Sequence, residues 1–249
     1  MKSDESHKAT SVRTLELLWG VHERSSRGPK QGLTIEAIVR AAIELADAEG
    51  LSALSMRKVA ERLGVGAMTL YTYVPGKDEL IGLMIDAVQA ERPARRDSAE
   101  GWREKLEQVA RDNWDLCHRH MWLVQAGSER NPVGPHSMDV YEDELACVSG
   151  IGLTPGEMVQ VLSLMSGYVD GAARAAVQVI QEERRTGLTR EQWWEQISPA
   201  FDKFIDYERY PTVLSTGDAE SHAHGPRENF EFGLARVLDG IEVLIKART

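Results

Sequence analysis

The sequence predicts an all-α fold, in which three helices built around a helix-turn-helix are followed by a larger helical domain. Three observations lead there. Between Ser55 and Lys77, apolar Met56, Val59, Ala60 and Leu63 recur at i, i+3, i+4 and i+7, one face of a helix, and a second apolar pair, Leu70 and Val74, follows a glycine-bearing turn. Just upstream, Ile35, Ile38, Val39, Ala42, Leu45 and Ala46 form the stripe of another helix. From Trp102 onward every clear periodicity is helical.

Composition narrows the class. A chain of 249 residues, 42% hydrophobic, can fill one large domain or two modest ones. Its formal charge of -10 argues against a general nucleic-acid coat, so any contact with DNA must be local. Two cysteines, Cys117 and Cys147, make neither a metal pattern nor a disulfide framework, which fits a reducing compartment. No run reaches the roughly 18 apolar residues of a membrane span, and MKSDESHKAT lacks the apolar centre of a signal peptide. The expectation is a soluble, cytoplasmic protein with no membrane partner.

The first ten residues are polar and expected to be disordered. Val12 to Val21 reads as a short amphipathic turn or two, with Leu15, Leu18 and Trp19 as contacts. The next stretch carries Arg24, Arg27 and Lys30 around a helix-breaking Gly28-Pro29. It reads either as an arm gripping a DNA backbone or minor groove, or as a solvated linker; position favours the arm. Thr34 is a good N-cap for the helix that Gly50 ends.

Within the motif, Ala60 lets two helices approach, Gly64 makes the corner, and Leu70 locks the second helix onto the first. The outward residues are polar or basic. From Leu51 to Lys77, Arg57, Lys58, Arg62 and Lys77 stand against Glu61, a balance of 4 - 1 = +3, which leaves the rest of the chain at -13. A basic island in an acidic chain is an electrostatic footprint for phosphate. A plain helical hairpin with a solvated face is the alternative, and the register of small residue, glycine, anchor and charge favours DNA.

The second helix opens on apolar Gly66, Ala67 and Met68. Thr69, Tyr71, Thr72 and Tyr73 can present hydroxyls to a duplex, and the methyls of Ala67, Thr69 and Thr72 suit thymine. It holds no Arg, Asn or Gln to read a base bidentately, so Arg57 on the preceding helix is the candidate for that contact. Lys77 opens the next helix, where the macrodipole disfavours a cation; its presence there makes sense if it grips a phosphate.

At these residues the chain resembles the TetR family of bacterial transcriptional regulators. Leu70-Tyr71-Thr72-Tyr73-Val74 is similar to the end of the family's recognition helix, and Pro75-Gly76-Lys77 to the turn and lysine that follow. The match runs from about Leu33 to Val88. Gly66, Ala67 and Met68 depart from the Ser, Gln or Pro common there, which leaves the operator sequence open. The resemblance implies a homodimer on a palindromic double-stranded DNA operator, most often a repressor, with Tyr71 and Tyr73 on phosphates. It implies the division 1–30 as extension, 31–78 as DNA-binding domain and 79–249 as ligand-binding and dimerisation domain.

Leu80 to Gln89 continues as a helix, and Glu91 to Glu100 is a charged loop. Later helices are expected from Trp102 to about His118, at Met121 to Gln125, Met138 to Val148 with Tyr141 and Leu145 inward, Gly156 to about Arg185, Arg190 to Tyr207, and Asn229 to Lys246, with Tyr210 to Pro226 as a loop. In the last helix, Phe230, Leu234, Val237, Ile241 and Leu244 step by 4, 3, 4 and 3, the seam of packed helices. The long helix carries Gly167 and Gly171, which allow close approach. These two helices read as a dimer interface, or alternatively as monomer core.

Five of the six tryptophans lie after residue 100. Asn113, Trp114, His118, Met121, Trp122, Tyr141, Met165 and Tyr168 are candidates to line a pocket for a small lipophilic or aromatic ligand, with plain core packing as the alternative for each. Cys117, His118 and His120 point in different directions on one helix and cannot converge on a metal. No nucleophile elbow, phosphate loop, zinc-protease or dinucleotide motif occurs, so no cofactor and no enzyme are expected. The competing reading is a helical metal- or cofactor-dependent enzyme using His118, His120, Glu142 and Glu144; another is a DNA-binding dimer without a ligand.

Overall fold

The computed structural model describes residues 12–20, 33–93, 100–126, 133–216 and 224–248. Every regular element among them is a helix. Residues 12–18 form α1, followed by α2 (Ile35–Glu49), a short 3₁₀ turn at Leu51–Ala53, α3 (Met56–Arg62), α4 (Ala67–Tyr73) and α5 (Lys77–Gln89). Then come α6 (Trp102–Arg119), α7 (Leu123–Ala126), α8 (Pro135–Cys147), α9 (Pro155–Thr186), α10 (Arg190–Phe201), α11 (Pro211–Ser215) and α12 (Pro226–Lys246). Two compact units divide inside α9, at 1–162 and 163–249.

In the first unit, α2 begins as its sequence demands: the Thr34 hydroxyl accepts from the Ala37 amide at 3.1 Å. Its stripe of Ile38, Ala42 and Leu45 meets Val59 of α3, Leu70 of α4, and Leu80, Met84 and Val88 of α5, all but fully buried. Each of these side chains except Ala42 contributes roughly 1.5–3 kcal/mol of transfer free energy. Leu116 of α6 and Trp122 join this core, so α6 reaches the three-helix bundle directly.

Some elements differ from expectation. On α1, Thr14 and Leu17 are buried while Leu15 and Trp19 are 39% and 50% exposed. The core-facing phase is therefore Thr14, Leu17 and Leu18, spaced by three and four; the small threonine fits where its methyl approaches Gly82. The Trp19 indole still finds a partner, donating to the Val133 carbonyl at 3.2 Å. Tyr141 of α8 faces outward at 39% exposure, and Cys147 is that helix's buried residue. Helix α10 stops at Phe201 rather than Tyr207, soon after Pro199, which has no amide to donate. The expected loop from Tyr210 contains α11, opened by Pro211 in its first turn. Helix α8 starts three residues earlier than Met138, at Pro135, for the same reason.

In the second unit, α9 and α12 meet through Tyr168, whose hydroxyl donates to the Phe230 carbonyl at 2.6 Å while the two rings stack at 6.0 Å. Burial pushes the Tyr168 phenol above its ordinary value. Among the described residues no helix is long and apolar enough to cross a membrane.

Candidate nucleic-acid interface

The corner between α3 and α4 is built from local chemistry. Ser55 caps α3 by accepting from the Lys58 amide at 3.3 Å. At the other end Gly64 takes a φ of +68°, its amide donates to Glu61 at 3.1 Å, and Val65 donates to Ala60 at 3.0 Å. Those paired 5→2 and 6→1 bonds close the helix with a left-handed residue that glycine adopts without strain. Gly66, with extended backbone, caps the start of α4, and Leu70 within the helix and Val74 at its C-cap turn inward at 0% exposure.

That inward pair fixes what faces out. Thr69, Tyr71 and Thr72 are exposed, as is Met68 at 78%. The Thr72 hydroxyl donates to the Thr69 carbonyl of its own helix at 2.6 Å. Tyr73 is half-buried against the core, where its ring supports the helix. Met68 is the outward residue that polarity rules pass over; its place opposite Leu70 in the helical register is the signal that finds it.

The motif's cations are exposed but engaged. Arg57 Nε lies 2.8 Å from Glu61, Lys58 2.7 Å from Glu49, and Arg62 3.1 Å from Glu44. The hydrogen bond and charge of Glu61 raise the Arg57 guanidinium above its ordinary value. Such exposed pairs exchange readily for phosphate or base partners, because each is worth little in water. Lys77 is half-buried and its Nζ lies 3.4 Å from the Leu51 carbonyl, across the turn that joins α2 to α3. Arg24, Arg27 and Lys30 lie outside the described residues.

The remaining predicted residues sit as follows. Trp114 is buried, with the His118 ring 4.4 Å away and His118 Nδ1 2.7 Å from the Trp114 carbonyl. Asn113 and Met121 are half-buried, and Trp122 is buried with its indole donating to Asp47 at 2.8 Å. These and Tyr141 belong to the first unit, Met165 and Tyr168 to the second. A groove of about 600 Å³ runs within the second unit, lined by Gly167, Tyr168, Gly171, Arg190, His224 and Phe230 among others. Phe230, Leu234 and Ile241 are buried within a single chain, Val237 and Leu244 half-buried, and Gly167 and Gly171 open. Of the side chains considered for metal chemistry, His120 lies between Asp47 and Glu91, and Glu144 pairs with Arg92 at 2.7 Å. Among the described residues no three His, Cys, Asp or Glu are grouped to hold a metal ion.

A left-handed glycine corner, a buried leucine anchor and an outward face bearing Met68, Thr69 and Tyr71 make α4 the candidate reader helix. Residues 38–84 match the profile of bacterial regulatory proteins of the tetR family, and residues 94–245 that of the tetracyclin repressor-like C-terminal domain. The chain belongs to the TetR family. It is a DNA-binding transcriptional regulator. Among TetR relatives, the HTH-type transcriptional repressor DrrR1 of Streptomyces coeruleorubidus is 45% identical over 99% of this chain and 91% of its own length. Among solved TetR structures, apo ActR of Streptomyces coelicolor superposes with a TM-score of 0.73 at 25% identity, covering 89% of this chain and 100% of that one. ActR in complex with actinorhodin gives 0.72 at 26% identity, over 85% and 96%.

Proposed function

We propose that the chain is a homodimeric repressor that leaves a palindromic operator when a small lipophilic or aromatic molecule binds its C-terminal domain. The observation that carries this is the reader face of α4, held rigidly by Leu70 while Thr69, Tyr71 and Thr72 stand exposed. Tyr71 and Lys77 contact phosphate, and Tyr73 chiefly supports the helix. Arg57 releases Glu61 to read a base edge, and Met68 and the threonine methyls contact thymine. Arg24, Arg27 and Lys30 grip the adjacent backbone. The repressor sense is supported by the 45% identical relative of that name.

One reader spans only a few base pairs, so two-fold pairing is needed to fix half-site spacing at a helical turn or a multiple. Gly167, Gly171, Val237 and Leu244 are the parts of the predicted interface still open to a second copy. For the ligand, Asn113, Trp114, His118 and Met121 supply apolar walls and a few polar groups in the first unit, and the actinorhodin complex of ActR supports a ligand of comparable kind. The ligand acts only through its preference for one dimer geometry; moving the equilibrium from 1:99 to 99:1 takes ~5.5 kcal/mol. The chain acts by binding alone, in the cytoplasm where its DNA is.

The test is selection of genomic fragments by the purified protein, followed by sedimentation of the complex and a thermal-shift screen against aromatic compounds. Recovery of a palindrome bound by two copies supports the reading; no enrichment at low ionic strength refutes it.

A further inference from the structure

Helix α6 ends against the DNA-binding helices, and the contact there is polar. His120, the residue after α6, is 5% exposed. Its Nδ1 lies 2.9 and 3.1 Å from the two carboxylate oxygens of Asp47, in the last turn of α2. Its Nε2 lies 3.1 Å from Glu91, two residues past α5. Asp47 also accepts from the Trp122 indole at 2.8 Å, and Arg119 donates to the other oxygen of Glu91. The charged groups facing the ring are thus Asp47 from α2 and Glu91 following α5, with Arg119 of α6 behind Glu91. The segment leading into α7 contributes the neutral indole. All of them belong to the first unit.

A neutral imidazole has one N–H and one lone pair. With a carboxylate facing each nitrogen, a neutral ring sets its lone pair against an anion. Burial pushes the Glu91 carboxyl up, but the hydrogen bonds from Arg119 and His120 outweigh it and hold the group below the usual carboxylate range. Glu91 is therefore ionised at neutral pH and has no proton to donate. Asp47 already uses one oxygen for the indole N–H. The ring that satisfies this geometry is the imidazolium, a donor at both nitrogens.

We propose that His120, as an imidazolium, is a positioning residue that pins the DNA-binding helices to the end of α6, so that operator affinity depends on the charge of this ring. The proposal rests on the DNA-reading function above. Loss of the ring proton leaves Asp47 and Glu91 without their shared cation and frees α2 and α5 to shift against α6. Two readers must match successive grooves at once, so freedom at this junction lowers the fraction of molecules poised to bind, and apparent affinity falls in proportion.

The test compares the full-length protein with His120→Gln, which keeps a polar side chain of similar reach but carries no charge. Affinity for a fragment selected by the wild type is measured by fluorescence anisotropy at fixed pH and ionic strength. His120→Gln is expected to bind roughly tenfold or more weakly than the wild type. A variant as tight as the wild type overturns the proposal. A readout without DNA separates the two layers: ¹⁵N NMR should show both His120 ring nitrogens protonated near pH 7, and one released in Asp47→Asn. A neutral ring in the wild type overturns the pin even if DNA is bound. An imidazolium in a protein that binds no fragment at any pH refutes the DNA-reading function, and with it the proposed role.

Discussion

Leu70 carries the reader helix, and the cost of truncating it follows from its burial. It is fully buried in the core it shares with Ile38, Val59 and Leu80. Leu70→Ala should destabilise the first unit by about 2–5 kcal/mol, read as a lower urea midpoint. Arg57 is the opposite case. Its side chain is 84% exposed and its partner Glu61 is on its own helix. Arg57→Ala should leave the melting temperature near wild type and relax base preference at one position of the selected site; an unchanged preference removes it from the base contacts. Both residues were legible in the sequence, one as an apolar step and one as an exposed cation. Met68 was not, because an exposed thioether obeys no polarity rule. The Glu49 and Glu44 partners of Lys58 and Arg62 come from α2, too far along the chain for local spacing to reveal.

At the scale of elements, helical periodicity placed α2 to α6 closely, because each has a one-sided stripe and a glycine or threonine boundary. It failed where those signals are weak. Helix α1 is too short for its phase to be fixed by pattern, so the pattern points to Leu15 and Trp19 where packing buries Leu17 instead. On α8, the outward turn of Tyr141 depends on how Asp86 seats that helix. Asp86, 4% exposed on α5, accepts from the Ser137 amide at 2.8 Å and lies 3.0 Å from His136. A Cβ on Gly134 would come within 2.3 Å of its carboxyl carbon. Gly134→Ala should therefore force α8 off α5 at a cost of about 1–3 kcal/mol, measurable by thermal unfolding. The α2–α5–α6 junction responds to acid instead. Glu91 has a depressed folded value, so its contribution is present above the unfolded value of 4.5 and is lost as pH falls through the folded one. Glu91→Gln should flatten the acid limb of melting temperature against pH; an unchanged limb shows that Arg119 and His120 do not stabilise the fold through it.

For the whole molecule, an acidic chain with a local basic motif is built to meet DNA at one small surface and to stay off it elsewhere. The family was readable because a helix-turn-helix is encoded by contiguous residues. The lining of a ligand site was not, since it gathers side chains from separate helices and each has a packing role available; Trp122 shows this, its indole bound to Asp47. In the proposed reading, phosphate contacts would give the sequence-independent part of the affinity and its steep salt dependence, and the α4 face its selectivity. The measurement that tests this most directly is binding of a selected palindrome and a scrambled fragment by wild type and by a variant with Thr69, Tyr71 and Thr72 all changed to alanine. Leu70 stays intact, so the helix keeps its anchor. The account predicts that the wild type prefers the palindrome at least about a thousandfold and that the variant binds both fragments alike, at or below the weak level of the scrambled one, because Tyr71 is also a phosphate contact. A correctly folded variant that still prefers the palindrome to the same degree would contradict it.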